Sequence, residues 1–70
     1  MIPYDQLIPM TEYRIETQYY TIQGIYCHTI IANSEPLIIM RIGDEYRSFL
    51  SYDRFYLNVK DVVLEDKEVI

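Results

Sequence analysis

The sequence predicts a small all-β domain, a mostly antiparallel barrel of five or six strands. Two observations carry that prediction. Eight of the 70 residues are tyrosine, and most of them lie in short stretches where apolar and polar side chains alternate. Aromatic and β-branched residues suit a pleated surface with one buried face. No segment repeats apolar residues at helical spacing over three turns. At this length a chain buries only about 60% of the surface its unfolded form exposes, so one compact core is all it can build. A deep catalytic cleft beside that core is not expected.

The elements follow in order. Residues 1–12 read as an irregular lead-in, because Pro3 and Pro9 oppose a helix and hold their preceding residues extended. Tyr13 to Thr17 alternates and forms a first strand, with Tyr13, Ile15 and Thr17 on one side. Tyr20 to Ile31 is the longest strand, with Ile22, Tyr26 and Ile30 expected on one face. So long a strand must bend, and Gly24 is the expected place. Residues 32–36 carry turn chemistry. Leu37 to Ile42 is an apolar central strand, residues 43–45 turn, and Tyr46 to Leu50 alternates again. Ser51-Tyr52-Asp53-Arg54 is a tight or helical turn, and Phe55 to Val59 closes the sheet. Asp61 to Glu65 offers a sixth strand or an ordered tail. The domain therefore runs from 13 to 65, with a fraying acidic tail over 66–70.

Composition excludes several classes of function. The formal charge is −5, and Arg14, Arg41, Arg47, Arg54, Lys60 and Lys67 are dispersed along the chain. Phosphate backbones attract clustered Lys and Arg, so nucleic acid is a poor default partner. Cys27 is the single cysteine, which precludes an intrachain disulfide. Residues 1–10 have no basic start and contain two prolines, unlike a secretory signal. No apolar run nears the roughly 20 residues of a membrane span. An intracellular setting, cytoplasmic or virion-associated, is the expectation.

Catalytic and metal readings have little support. His28 adjoins Cys27, but neighbours on a strand point to opposite faces, so a nucleophile–base pair is not expected. One Cys and one His do not make a four-ligand zinc site. Asp44-Glu45 and Glu65-Asp66 lack the spacing of a calcium loop. With only two glycines there is no phosphate-binding loop, and no cofactor is expected.

The tyrosines are the candidate binding residues. Tyr13, Tyr26, Tyr46 and Tyr56 are expected mainly to build core and rim. Tyr19, Tyr20, Tyr52 and Tyr56 are the candidates for a contact surface, either a cation–π cage or a groove for a proline-rich peptide. Tyr52 stands out because it lies in a polar turn with no core to enter. A second candidate contact, with a second copy of the chain or a partner chain, is Val62-Val63-Leu64 within residues 61–65, where three successive apolar residues cannot all face one side of a sheet.

The order of one short strand, one long bent strand, one apolar strand, one short strand, a single-turn break and a closing strand resembles the Src-homology-3 type of small barrel. Tyr13-Arg14-Ile15, Tyr20-Thr21 leading to Gly24-Ile25-Tyr26, Tyr46-Arg47-Ser48-Phe49 and Arg54-Phe55-Tyr56 together resemble short barrel proteins of large DNA viruses. The resemblance spans about residues 13–59. It departs from the pattern where Ile22 and Gln23 separate Thr21 from Gly24. It implies a fold and a viral setting, and it transfers no catalytic residue. The expected function is non-catalytic protein–protein association, as a small accessory subunit or peptide reader. The alternative is an Sm-like, nucleic-acid-associated barrel.

Overall fold

A computed structural model describes residues 1–58. These residues form one antiparallel sheet of five strands: β1 (Glu12–Glu16), β2 (Thr21–Ala32), β3 (Glu35–Ile42), β4 (Glu45–Leu50) and β5 (Arg54–Leu57). The order across the sheet is β4-β3-β2-β1-β5, so β5 crosses back to pair with β1. β4 and β5 are the two edges, and among the described residues no ladder joins them. The expected Asp61–Glu65 strand and the Val62-Val63-Leu64 contact lie outside the described residues.

Alternation accounts for which face is buried. Tyr13 and Ile15 on β1, Ile38 and Met40 on β3, Phe49 on β4 and Phe55 on β5 are all buried in one cluster with Leu7 and Tyr26. In a flat sheet the two edge strands would stand about 19 Å apart, four strand spacings. Phe49 and Phe55 nevertheless share a core, so the sheet curls over its apolar face.

β2 is long because it serves two ladders. Thr21 to Ile25 pairs with β1, and Ile25 to Ala32 pairs with β3. The break in register falls between Tyr26 and His28, with Cys27 as the extra residue, and not at Gly24 as expected. Gly24 pairs regularly with Tyr13. Its requirement is space: a Cβ there would stand 2.7 Å from Ile42 Cδ1 and 3.3 Å from both the Arg41 carbonyl and Met40 Cβ. The bulge also corrects the expected faces. Beyond Cys27 the alternation inverts, so Ile30 leaves the face of Ile22 and Tyr26, and Thr29 takes its place. The Tyr26 hydroxyl and Thr29 Oγ1 then meet at 2.8 Å.

The β2–β3 turn is tighter than the 32–36 stretch suggests. Ala32 pairs with Glu35, leaving only Asn33 and Ser34 between them, at φ +53° and +67°. Two successive left-handed residues let a two-residue turn follow the twist of its strands. Pro36 is tolerated inside β3 because it occupies a position opposite Ile31 whose amide would point away from β2, past the end of β4.

The lead-in is tied to the sheet. It contains a 3₁₀ turn at Tyr4–Gln6 and contributes Leu7 to the core. The Ile2 amide donates to the Phe55 carbonyl at 2.8 Å, covering part of the β5 edge. The Met10 amide donates to the Tyr26 carbonyl, and the Tyr26 amide to the Thr11 carbonyl, each at 3.0 Å. The Ile8 amide reaches the hydroxyl of Tyr13 at 2.9 Å, so a buried ring keeps its polar end satisfied.

Candidate functional site

Curling brings the β1–β2 loop beside the end of β4 and the β4–β5 turn. The loop is built by Thr17. Its Oγ1 accepts from the amides of Tyr19 and Tyr20, each at 3.1 Å, while its amide donates to the Tyr20 carbonyl at 2.8 Å. A threonine side chain standing in for a backbone acceptor is a standard way to fix a tight turn. The consequence is that Tyr19 and Tyr20 face solvent on an ordered loop.

The opposite wall is fixed by Asp53. Its Oδ2 accepts from the Leu50 amide at 2.8 Å, and its own amide donates to the Leu50 carbonyl at 3.0 Å. The turn so closed presents Tyr52 outward. Between the walls lies a shallow hollow of ≈ 180 Å³, whose lining includes Tyr19, Tyr20, Tyr52, Ser48 and Asp53. A second depression of ≈ 390 Å³ adjoins it and adds Glu16 and Arg54. The two share Thr17, Gln18, Tyr52 and Asp53, and form one continuous groove. Tyr19 is 84% exposed and Tyr52 is 73% exposed.

Three of the four tyrosines singled out in the sequence, Tyr19, Tyr20 and Tyr52, therefore meet at one place. Tyr56 lies elsewhere, on β5 opposite Arg14 of β1, with the guanidinium carbon 4.5 Å from its ring centroid. Of the expected core and rim tyrosines, Tyr13 and Tyr26 are buried and Tyr56 is half-buried, whereas Tyr46 is exposed. Tyr46 stands on the β4 edge, where no neighbouring strand covers it among the described residues.

Two further residues, Arg47 and Thr17, complete the site. Arg47 donates through Nη2 to the Tyr20 hydroxyl at 3.1 Å and lies over that ring. The pair is 27 positions apart, so no local spacing reveals it. Thr17 had a local signal, a turn-forming hydroxyl just before two tyrosines.

Three of the arginines are engaged by other side chains, Arg47 by Tyr20 and the other two by Glu16. Glu16 sits between Arg14 and Arg54, with N···O distances of 3.3 and 3.6 Å. Arg14 Nε is buried without a well-aligned hydrogen bond, so its cation is held by Glu16 at a distance and by the Tyr56 ring.

Cys27 is the extra residue of the register break and His28 follows it, so strict alternation no longer separates these neighbouring side chains. The Cys27 thiol instead points to the Ile25 carbonyl, 3.7 Å away, and His28 is exposed. Among the described residues, no three His, Cys, Asp or Glu side chains stand close enough to hold a metal ion. Among the same residues, no helix is long and apolar enough to cross a membrane.

No family model, no curated protein and no solved structure matches this chain.

Proposed function

We propose that this protein is a non-catalytic association module that holds a peptide segment of another protein in the groove of Tyr19, Tyr20 and Tyr52. The observation that carries the reading is the exposure of Tyr19 and Tyr52 on two loops whose backbones are hydrogen-bonded in place. Tyrosine side chains have few rotatable bonds, so on backbones already held in place they lose little conformational freedom on binding and offer large contact area. The groove's lining sets Arg54 beside Glu16 and Asp53, so its own charges largely offset one another, and it is the chain's net charge of −5 that disfavours an acidic segment.

The fold assignment belongs to the same reading. A four-strand meander, a long second strand shared by two ladders, a single-turn break and a fifth strand returning to the first support a Src-homology-3-like barrel. So does a core shared by both edge strands. Grooves of aromatic rings between two loops suit extended, proline-containing peptides, whose backbone is already ordered before binding. A cage for a methylated cation has less support, because Arg47 already lies over Tyr20. An Sm-like, nucleic-acid-associated role has less again, because Arg14 and Arg54 share Glu16 and Arg47 is engaged by Tyr20. An intracellular setting, cytoplasmic or virion-associated, accompanies the reading.

A displayed library of random peptides, selected on the full chain, tests it. Selection is expected to enrich proline- or arginine-containing sequences whose affinity falls at least tenfold for Tyr52→Ala and Tyr19→Ala. Failure to enrich, or enriched peptides that bind the double variant as well as the parent, overturns the groove as a peptide site.

A further inference from the structure

We infer that the outer half of β2 is a self-pairing edge, and that two copies of this chain join through it, antiparallel, with Ile30 against Ile30 on a two-fold axis. This surface lies on a different strand edge from the tyrosine groove and stands independently of it.

The geometry begins at the β2–β3 turn. In a hairpin closed by a two-residue turn, the pair flanking the turn exchanges both backbone hydrogen bonds, and every second pair does likewise. Here that assigns Ala32–Glu35, Ile30–Leu37 and His28–Ile39 as bonded pairs. Thr29 and Ile31 then turn their amides and carbonyls away from β3, toward the side on which β1 lies. β1, however, pairs only as far as Ile25, and the lead-in satisfies only Tyr26. Among the described residues, no strand accompanies β2 beyond that point, so the backbone of Thr29 and Ile31 faces an open edge.

Other edges of this sheet are managed. The Ile2 amide bridges to Phe55 on β5, and β4 carries Glu45 and Arg47. Charge and short covering segments are the usual protections against pairing with another chain. The Thr29-Ile30-Ile31-Ala32 segment has neither. It is uncharged, rich in β-branched residues, and leaves Ile31 70% and Ile30 43% exposed on its two faces.

An uncharged edge supplies no complement to a charged peptide, but it complements itself. Antiparallel pairing about Ile30 sets Thr29 of each copy opposite Ile31 of the other, so the outward groups of both residues are used, giving roughly four hydrogen bonds. Ile30 then faces its own copy as a non-hydrogen-bonded pair, the closer kind, with Cα atoms about 4.5 Å apart. His28 falls opposite Ala32, and no like charges meet. The contact is isologous and closes at two copies, so it does not propagate into a fibre.

Light scattering and sedimentation on the full chain provide the test. The wild type is expected at twice the chain mass, falling to one on dilution. Ile31→Pro removes an amide that the monomer's own ladders do not use, and it should give a folded monomer. Ile30→Lys places like charges across the axis and should do the same, which keeps the test intact if the proline variant fails to fold. In a Cys27→Ala background, Ile30→Cys should oxidise to a covalent dimer, since the paired Cα separation suits a disulfide. A wild type that stays monomeric, a dimer that survives both substitutions, or a failure of Ile30→Cys to cross-link overturns the assignment. Peptide binding at the tyrosine groove should be unchanged in the monomeric variants, so either surface can fail without the other.

Discussion

The Arg47 guanidinium donates to the Tyr20 hydroxyl at 3.1 Å and stands 5.7 Å from the centroid of the same ring. This contact joins β4 to the β1–β2 loop and holds one wall of the groove. Because both residues are solvent-exposed, the contact orients more than it stabilises. Arg47→Ala is therefore expected to leave the denaturation midpoint nearly unchanged, within about 0.5 kcal/mol as for most surface changes. The Tyr20 ring resonances should broaden or shift in NMR, and affinity for a selected peptide should fall. A shift in stability without a change at Tyr20 would show that Arg47 acts elsewhere.

Gly24 faces Ile42, Met40 and the Arg41 carbonyl across the hand-over between the two ladders. Gly24→Val should destabilise the fold by about 1–3 kcal/mol through overpacking, since the carbonyl and Met40 Cβ have little freedom to retreat. Urea titration reads this directly. An unchanged midpoint would mean that β3 moves aside freely.

Ser34 holds φ at +67° without the permissiveness of glycine. Replacing it by glycine creates Asn-Gly, the pair best suited to this turn. Ser34→Gly should raise stability by up to about 1 kcal/mol, the scale of the left-handed penalty for a residue with a Cβ. A loss of stability on the same titration would place the turn in another conformation.

Leu7 is buried although it lies in a segment without a strand. Leu7→Ala should cost about 2–4 kcal/mol, as other truncations in a packed core do. Protection of the Ile2 and Met10 amides from hydrogen exchange should fall with it. A cost well under 1 kcal/mol would show that the lead-in only rests on the domain.

Cys27 is half-buried with its thiol directed at a backbone carbonyl, and His28 is exposed. The double change Cys27→Ala with His28→Gln is expected to lower stability modestly, mostly through packing lost at Cys27. Peptide binding should persist in the folded protein. Abolished binding in a variant that keeps its circular dichroism would return chemistry to this pair.

Much of the strand framework was legible before any tertiary information. Alternation in Tyr13–Thr17 and Tyr46–Leu50, and the apolar run of Leu37–Ile42, reflect a period of two that one buried face imposes locally. Turn residues within 32–36, 43–45 and 51–54 mark where the chain reverses because each carries its own backbone preference, although the structure confines the first reversal to 33–34. Tyr52 announced its exposure for the same local reason, a ring set among polar neighbours.

What only the tertiary structure decided concerns pairings distant in sequence. The bulge at Cys27 leaves no mark in composition, yet it exchanges Ile30 for Thr29 on the inner face. Leu7 joins the core cluster although residues 1–12 have no periodicity of their own to announce it. Tyr20 meets Arg47, and Tyr19 lines the same hollow as Tyr52, only because β4 is carried round to the β1–β2 loop. Local sequence sets which face of a strand is apolar. Closure of the core over that face sets which tyrosines share a groove, and it leaves Tyr56 with Arg14 instead.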